Sequence, residues 1–341
     1  MARMDVGKAF NPSFEHMVRV LFRPFMLSKW LALGFVSMIA YGGGSSFNVP
    51  NFGGPSDRGG PFPGGNPIEW MIHYWMLLAL GFVFLVALGI LLTWLSSVMQ
   101  FVYVDEIVRS SAAIREPWAR LKGLGFSYFL WRLVFGFAVL LFLVILVGVP
   151  LAIVFIPSFK VTAAGLKIAA AVWAALIFIF TIIVTGIIDL FARDFVVPAM
   201  YARRLGVLKG WRTIIPILRE NAGQLVIYIL LLIVVAIGIA IYSMLVLLVA
   251  LLVFAIPVGV LVGIGYVIFK AMGLSWNIPL IVVAATIGTV VLAALIYTVQ
   301  VGLQPAQVFR RAFSLAVLGQ ADPSLATLPS EAPSPPAPGP A

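Results

Sequence analysis

The sequence predicts an all-α integral membrane protein with six transmembrane helices arranged as three hairpin repeats. Of its 341 residues, 62% are hydrophobic and only 10% are charged. Soluble domains carry about 25% charged residues. Apolar runs also recur along the chain at the length of about 20 residues that a helix needs to cross a ~30 Å hydrocarbon core. Composition and run length together therefore predict the membrane class.

The apolar runs define the expected spans. Five of them lie around 25–41, 69–100, 127–156, 166–192 and 276–300. A further run, 224–271, is more than twice the needed length and contains Pro257. Proline cannot donate the backbone hydrogen bond of an interior helical residue. We therefore predict one long helix up to residue 256 and a short outer or re-entrant segment over 257–271. Seven spans are the alternative.

The basic residues predict the topology. With a cytosolic N-terminus and six alternating spans, 18 of the 22 lysines and arginines lie on the cytosolic side. The four on the outer side are Arg58, Lys160, Lys167 and Lys270. Membrane proteins place Lys and Arg in cytoplasmic loops. We expect both termini in the cytosol and a bacterial-type cytoplasmic (inner) membrane. The net charge of +10 is then a topology signal, and no nucleic-acid partner is expected.

A repeated pattern divides the chain into modules. Pro198-Ala199 and Arg203-Arg204 recur as Pro305-Ala306 and Arg310-Arg311 about a hundred residues later, and Arg109 aligns with Arg203. Repetition at a fixed spacing indicates repeated structural units. We predict a single transmembrane domain, 1–319, with modules near 10–110, 111–204 and 205–319. The Gly/Pro-rich stretch 42–67 is expected to form a flexible outer loop, and the Pro/Ala-rich stretch 320–341 a disordered cytosolic tail.

Each module begins with a predicted amphipathic helix. In the first, apolar residues from Phe14 to Phe25 recur every three or four positions, with Glu15, His16, Arg19 and Arg23 opposite. The second is centred on Trp118 and the third on Trp211. Such helices lie in the headgroup layer with their basic face toward anionic lipid, or pack on the bundle as connectors. The candidate lipid-interface residues are Arg19, Arg23, Arg115, Trp118, Arg120, Lys122, Arg203, Arg204, Lys209, Trp211, Arg212, Arg219, Arg310 and Arg311.

Two acid–base pairs lie near the ends of predicted spans. Asp189 and Arg193, and likewise Asp105 and Arg109, are four residues apart. This spacing brings two side chains together on one helix face. Ionisable groups at membrane depth are candidates for function. We interpret both pairs as structural locks, with a transport site as the alternative.

The boundary segments resemble a known family. "FVVPAMYARRLGVLKGW", Asn221-Ala222-Gly223 and "VFRRAFSLAVLG" resemble bacterial multi-pass proteins related to the membrane domain associated with glycerophosphodiester phosphodiesterases. The resemblance covers mainly 101–319 and implies paired helices with amphipathic connectors. The catalytic barrel of those enzymes is absent from this sequence, so the resemblance implies no hydrolase activity. The Gly/Pro-rich loop and the apolar segment 257–271 depart from the family pattern.

The sequence offers little for catalysis. It has no cysteine and only two histidines, His16 and His73, which are expected on opposite sides of the membrane. Phosphate-binding, HExxH and GxSxG motifs are absent. We therefore predict a non-enzymatic protein without cofactor or metal. It would organise or sense the membrane through its basic helices, or support a membrane-protein partner, with anionic lipid as the expected ligand. The alternative is a lipid or small-molecule transporter or flippase; a membrane-embedded hydrolase using Asp189 or Asp105 ranks last.

Overall fold

The structure is a computed structural model that describes residues 5–42, 74–111, 113–155, 164–273 and 278–328. The backbone of these ranges forms helices and no strands. The predicted outer loop beyond residue 42, His73 and the predicted tail beyond residue 328 lie outside the described residues.

Nine α-helices follow one another in the described ranges. They are α1 (Phe10–Phe22), α2 (Leu27–Gly42), α3 (Trp75–Arg109), α4 (Arg115–Phe155), α5 (Ala164–Arg203), α6 (Val207–Glu220), α7 (Ala222–Ala271), α8 (Ile278–Gly302) and α9 (Gln304–Ala321). Single π-helical turns interrupt α4 at Val144–Gly148 and α5 at Ala192–Val196.

Five of these helices, α3, α4, α5, α7 and α8, are long and apolar enough to cross a membrane. A sixth span is obtained when α1 and α2, which are bent by 117° at their junction, are counted together. The run expected to span at 25–41 folds as α2, which has 16 residues. At 1.5 Å per residue this is about 24 Å, shorter than the ~30 Å core.

The predicted break at Pro257 is wrong. α7 continues without interruption through this proline and contains 50 residues. Proline removes one backbone donor, whereas a non-helical segment in apolar surroundings would leave several backbone groups unpaired. A continuous helix therefore costs less free energy than a break at this proline. It is about 75 Å long.

The helices pack in an order that differs from their order in the chain. Neighbouring helices form the series α7, α8, α2, α3, α4 and α5, while α9 contacts α1, α2, α3, α5 and α8. Because α9 contacts five other helices, it is the central helix of one end of the molecule. We call this region the packed end: α1, α6, α9 and the C-terminal parts of α3 and α5.

The hydrophobic core lies in the packed end. Phe101, Tyr103, Phe195, Met200 and Phe313 are all buried there. Burial of aromatic and aliphatic side chains stabilises this end by about 1.5–3 kcal/mol for each fully buried side chain. The packed end therefore holds the helices together.

The long helices beyond the packed end expose their apolar side chains. In the most apolar 18-residue windows of α3 and α8, no residue is buried within the molecule. Phe82 is 68% exposed and Met244 is 76% exposed. Soluble proteins do not leave apolar surfaces of this extent in water. These helices therefore require an apolar solvent.

Close helix contact at the packed end depends on a glycine. A Cβ atom at Gly125 on α4 would lie 2.6 Å from the Cα atom of Val98 on α3. Only glycine allows the two backbones to approach this closely. This contact places the beginning of α4 beside the buried half of α3.

Candidate functional site

A layer of ionisable side chains crosses the packed end. Asp105 and Glu106 on α3, Asp194 on α5 and Arg311 on α9 are each at most 4% exposed. Charged residues are almost never buried this fully unless they are paired. We call this set, with Arg310, the polar layer. It is formed where the C-terminal ends of two long helices meet α9.

Asp105 is the best-satisfied member of the polar layer. Its Oδ1 atom lies 2.6 Å from Nη2 of Arg120 and 3.2 Å from Nε of Arg109. The hydroxyl of Tyr201 donates to the same oxygen at 2.6 Å. Glu116 lies 4.0 Å from both guanidinium groups. The cluster thus links α3, α4 and α5 with balanced charge.

Asp194 joins α5 to two other helices. The hydroxyl of Tyr228 on α7 donates to Oδ2 of Asp194 at 3.1 Å, and Nη2 of Arg310 lies 3.6 Å from the same atom. The negative charge of Asp194 raises the pKa of Arg310 above its ordinary value, because it favours the charged guanidinium. Arg310 therefore stays cationic at every physiological pH.

The structure does not place Arg311 at the lipid interface predicted for it. Its side chain is fully enclosed, and Nη1 donates to the backbone carbonyl of Arg193 in the π-helical turn of α5. The residues that follow, Ala312 to Leu315, are all buried as well. This stretch makes α9 a core helix, and Arg311 is carried into the interior with it.

The other predicted interface residues divide into two groups. Exposed side chains are Arg19, Arg23, Arg115, Lys122, Arg203, Arg204, Lys209, Arg212 and Arg219. Trp118, Arg120, Trp211 and Arg310 are only partly exposed. The ring of Trp118 packs edge-on against that of Trp94, with the ring centres 5.6 Å apart. The ring centre of Trp211 lies 5.6 Å from that of Trp131. The two tryptophans therefore contact protein.

The faces predicted for α1 are wrong in part. Phe14 and Phe22 are 51% and 46% exposed, whereas His16, expected on the polar face, is buried. The helix is rotated so that Ser13, His16 and Met17 face the interior, because α1 packs against α9. The Nε2 atom of His16 lies 2.9 Å from the carbonyl oxygen of Ile107. Burial lowers the pKa of His16, because desolvation disfavours the imidazolium.

α6 is held to the bundle by one face. Val207, Gly210, Ile214 and Ile217 are buried at spacings of three and four residues. The amide of Val207 donates to the hydroxyl of Ser127 on α4 at 3.1 Å. Leu208 and Ile215 remain 68% and 39% exposed. α6 thus combines a packed face with an exposed apolar strip.

The second predicted acid–base pair forms, and the two repeated arginine pairs contact different residues. Nη2 of Arg193 lies 2.6 Å from Oδ2 of Asp189. Arg203 pairs with Asp322 at 2.8 Å and also donates to the hydroxyl of Ser324. Hydrogen bonds from Ser324 lower the pKa of Asp322, and the charge of Arg203 acts in the same direction. The equivalent Arg310 pairs with Asp194 instead, so the repeated arginines have different environments.

Sequence reasoning missed Glu106, Asp194 and the role of α9. Glu106 adjoins Asp105 at the end of an apolar run, and Asp194 stands directly after Arg193. An ionisable residue bordering a span is a signal for a buried polar contact. In α9 the signal was the apolar spacing of Val308, Ala312 and Leu315.

The described residues contain no group of three or more His, Asp or Glu side chains placed to hold a metal ion. What the packed end and the exposed helices define is a helical membrane protein whose long helices converge on a buried layer of ionisable side chains. The chain belongs to the family of unknown function DUF7544, whose model matches residues 4–328. No curated protein and no solved structure matches the chain. The family match does not link the chain to the phosphodiesterase-associated membrane domain, so that resemblance stays a prediction.

Proposed function

We propose that this is a non-enzymatic protein of a bacterial-type cytoplasmic membrane that recognises anionic lipid headgroups through basic interfacial helices. In this proposal both termini are cytosolic, and the three repeated modules each supply one such helix. The observation that carries the proposal is the exposed side of α6, where apolar and basic residues lie next to each other.

The exposed side of α6 has the arrangement of an interfacial helix. Leu208, Arg212, Ile215 and Arg219 are spaced by four, three and four residues, which places them along one side of the helix. All four are exposed. Apolar side chains in such a position enter the acyl boundary while neighbouring cations contact lipid phosphates. The opposite, packed face keeps α6 at a fixed depth.

α1 carries a second surface of the same kind. Phe10, Phe14 and Phe22 are 40–51% exposed, and Arg19 and Arg23 are exposed as well. A protein that only needed α1 as a connector would gain nothing from exposed phenylalanines. Their exposure supports insertion of α1 into the headgroup layer.

The test measures lipid preference in the membrane. The full chain is reconstituted into nanodiscs that contain equal amounts of phosphatidylglycerol and phosphatidylcholine, and the lipids retained at the protein surface are quantified by native mass spectrometry. Each basic residue at an anionic surface is worth about 1 kcal/mol. Arg212→Gln with Arg219→Gln should therefore reduce the preference for phosphatidylglycerol by roughly 30-fold, since 1.4 kcal/mol corresponds to a factor of ten.

A matched double variant controls for the loss of two charges. Lys167→Gln with Lys270→Gln removes two cations from the ends of α5 and α7, away from α1 and α6. This variant should keep the preference of the unmodified protein. Equal lipid preference in the unmodified protein and the α6 variant would refute the proposal. It would leave the arginines as topology signals and direct attention to protein partners.

A further inference from the structure

A cleft between α4 and α5 lies outside both the polar layer and α6. Its volume is about 310 Å³. Trp131, Arg132 and Phe135 line it from α4, and Thr185, Gly186 and Asp189 from α5. It lies where the packed end gives way to the exposed apolar parts of both helices.

Arg132 is the unusual member of the cleft. Its Nη1 atom donates to the hydroxyls of Ser96 and Ser97 at 3.4 Å and 3.3 Å. Its guanidinium carbon lies 5.9 Å from the ring centre of Tyr128. Among the described residues no carboxylate lies within 4.0 Å of it. The positive charge of Arg132 therefore has only neutral partners.

The carboxylate in the cleft does not compensate that charge. Asp189 is bound at 2.6 Å by Arg193, which neutralises it. The three groups together carry one net positive charge at the edge of an apolar region. An arginine at such depth is costly unless an anion accompanies it, and its planar guanidinium matches the oxygens of a phosphate group.

The walls beyond Arg132 select the kind of anion. Phe142 on α4 is 40% exposed, and Phe178 and Ile182 on α5 are 50% and 55% exposed. Phe142 follows Phe135 by seven residues and Phe178 precedes Ile182 by four, so these side chains continue the helix faces that line the cleft. Because α4 and α5 are packed together, the two faces form the walls of an apolar groove that begins at the cleft. A free phosphate ion would gain nothing from this groove, whereas the acyl chains of a lipid would cover it.

We propose that the cleft binds one phospholipid, with the lipid phosphate at Arg132 and the acyl chains along the groove between α4 and α5. Gly186 leaves room for the headgroup, because a Cβ atom added there would meet nothing within 4 Å. Thr185 and Trp131 form the sides of the headgroup pocket. This site is separate from the surface of α6 and does not depend on the function proposed for it.

The experiment detects a single tightly held lipid. The full chain is purified in detergent, delipidated, and titrated with phosphatidylglycerol in native mass spectrometry. The unmodified protein should retain one lipid per chain. Arg132→Gln, which removes the charge, and Gly186→Leu, which fills the cleft and keeps the charge, should each weaken binding of that lipid at least tenfold.

Three controls test whether lipid binding depends on the cleft itself. Gly165→Leu adds the same side chain to the other end of α5, where a Cβ atom also meets nothing within 4 Å, and should bind like the unmodified protein. Arg212→Gln with Arg219→Gln should keep the single lipid, which distinguishes this site from α6. Inorganic phosphate and glycerophosphoglycerol, which lack acyl chains, should not displace the lipid.

The binding results decide whether the cleft is a lipid site. Selective loss of the single lipid in Arg132→Gln and Gly186→Leu supports the site. Unchanged binding in Gly186→Leu, or displacement of the lipid by inorganic phosphate at equal concentration, overturns it. Because Gly186→Leu retains every hydrogen bond of Arg132, its result is interpretable even where Arg132→Gln lowers the stability of the protein.

Discussion

Replacing Asp105 by Asn tests whether the polar layer holds the packed end together. The substitution keeps the size of the side chain and an oxygen that accepts the Tyr201 hydroxyl, but it removes the negative charge. Arg120, which is 27% exposed and lies 2.6 Å from Oδ1, then loses its closest counter-ion. The remaining carboxylate near Arg120 is Glu116, at 4.0 Å and largely exposed to solvent.

The magnitude follows from the burial of Asp105. Removing one partner of a buried ion pair costs about 3–5 kcal/mol. Partial exposure of Arg120 lets water recover some of that loss, so we expect about 3 kcal/mol, the lower end of the range. For 341 residues the unfolding entropy is about 0.7 kcal/mol/K, so 1 kcal/mol lowers the Tm by about 1.4 °C. Asp105→Asn should therefore lower the Tm by about 4 °C.

The assay is thermal unfolding of the purified protein in detergent, followed by tryptophan fluorescence and by loss of the monodisperse peak after heating. Glu116→Gln is the matched control: it makes the same chemical change in a side chain that is 72% exposed. Exposed ion pairs contribute about 0–1 kcal/mol, so its Tm should change by less than about 2 °C. Equal Tm values for the two variants would refute the conclusion that burial gives Asp105 its role.

Three further predictions concern other contacts. Gly125→Ala should destabilise the protein by about 1–3 kcal/mol through overpacking against Val98, whereas Gly123→Ala, which meets nothing within 4 Å, should be neutral or slightly stabilising in the same unfolding assay. Stability should fall as the pH drops below about 6.5, because the unfolded state then protonates His16 at its ordinary pKa of 6.5 while burial lowers the folded value; His16→Gln should lose that component, and an unchanged pH profile would contradict it. Asp322→Asn should speed limited proteolysis after α9, since it removes the pairing with Arg203, yet it should lower the free energy of unfolding by no more than about 1 kcal/mol; a large drop in Tm would contradict this surface role.

Composition and run length were sufficient to predict the class of the protein and the position of most long helices. They failed at Pro257, because the rule that proline ends helices weakens where no water can hydrogen-bond a broken backbone. They also placed the last apolar run at 276–300, where α8 ends at Gly302, but gave no reason to expect a core helix after it. In α9 the apolar residues recur every three or four positions over a short stretch that two arginines interrupt. This pattern also fits a surface segment.

The ion pairs were only partly predictable. Four-residue spacing brings Asp105 to Arg109 and Asp189 to Arg193 within one helix, so those contacts follow from helical geometry. The contacts of Asp105 with Arg120 and of Asp194 with Arg310 join different helices. They depend on the way α4 crosses α3 and on the central position of α9. Spacing along a single sequence carries no information about such crossings.

The central position of α9 has a consequence for the order of assembly. During synthesis α3 and α5 are complete well before residue 304 is made. Until α9 is made, Asp194 lacks its contact with Arg310, and the carbonyl of Arg193 lacks its contact with Arg311. The packed end can close only when the last helix arrives. Until then neighbouring chains, lipids or a quality-control protease can still reach the partly neutralised interior of the inserted spans, and the packing of α9 ends that access.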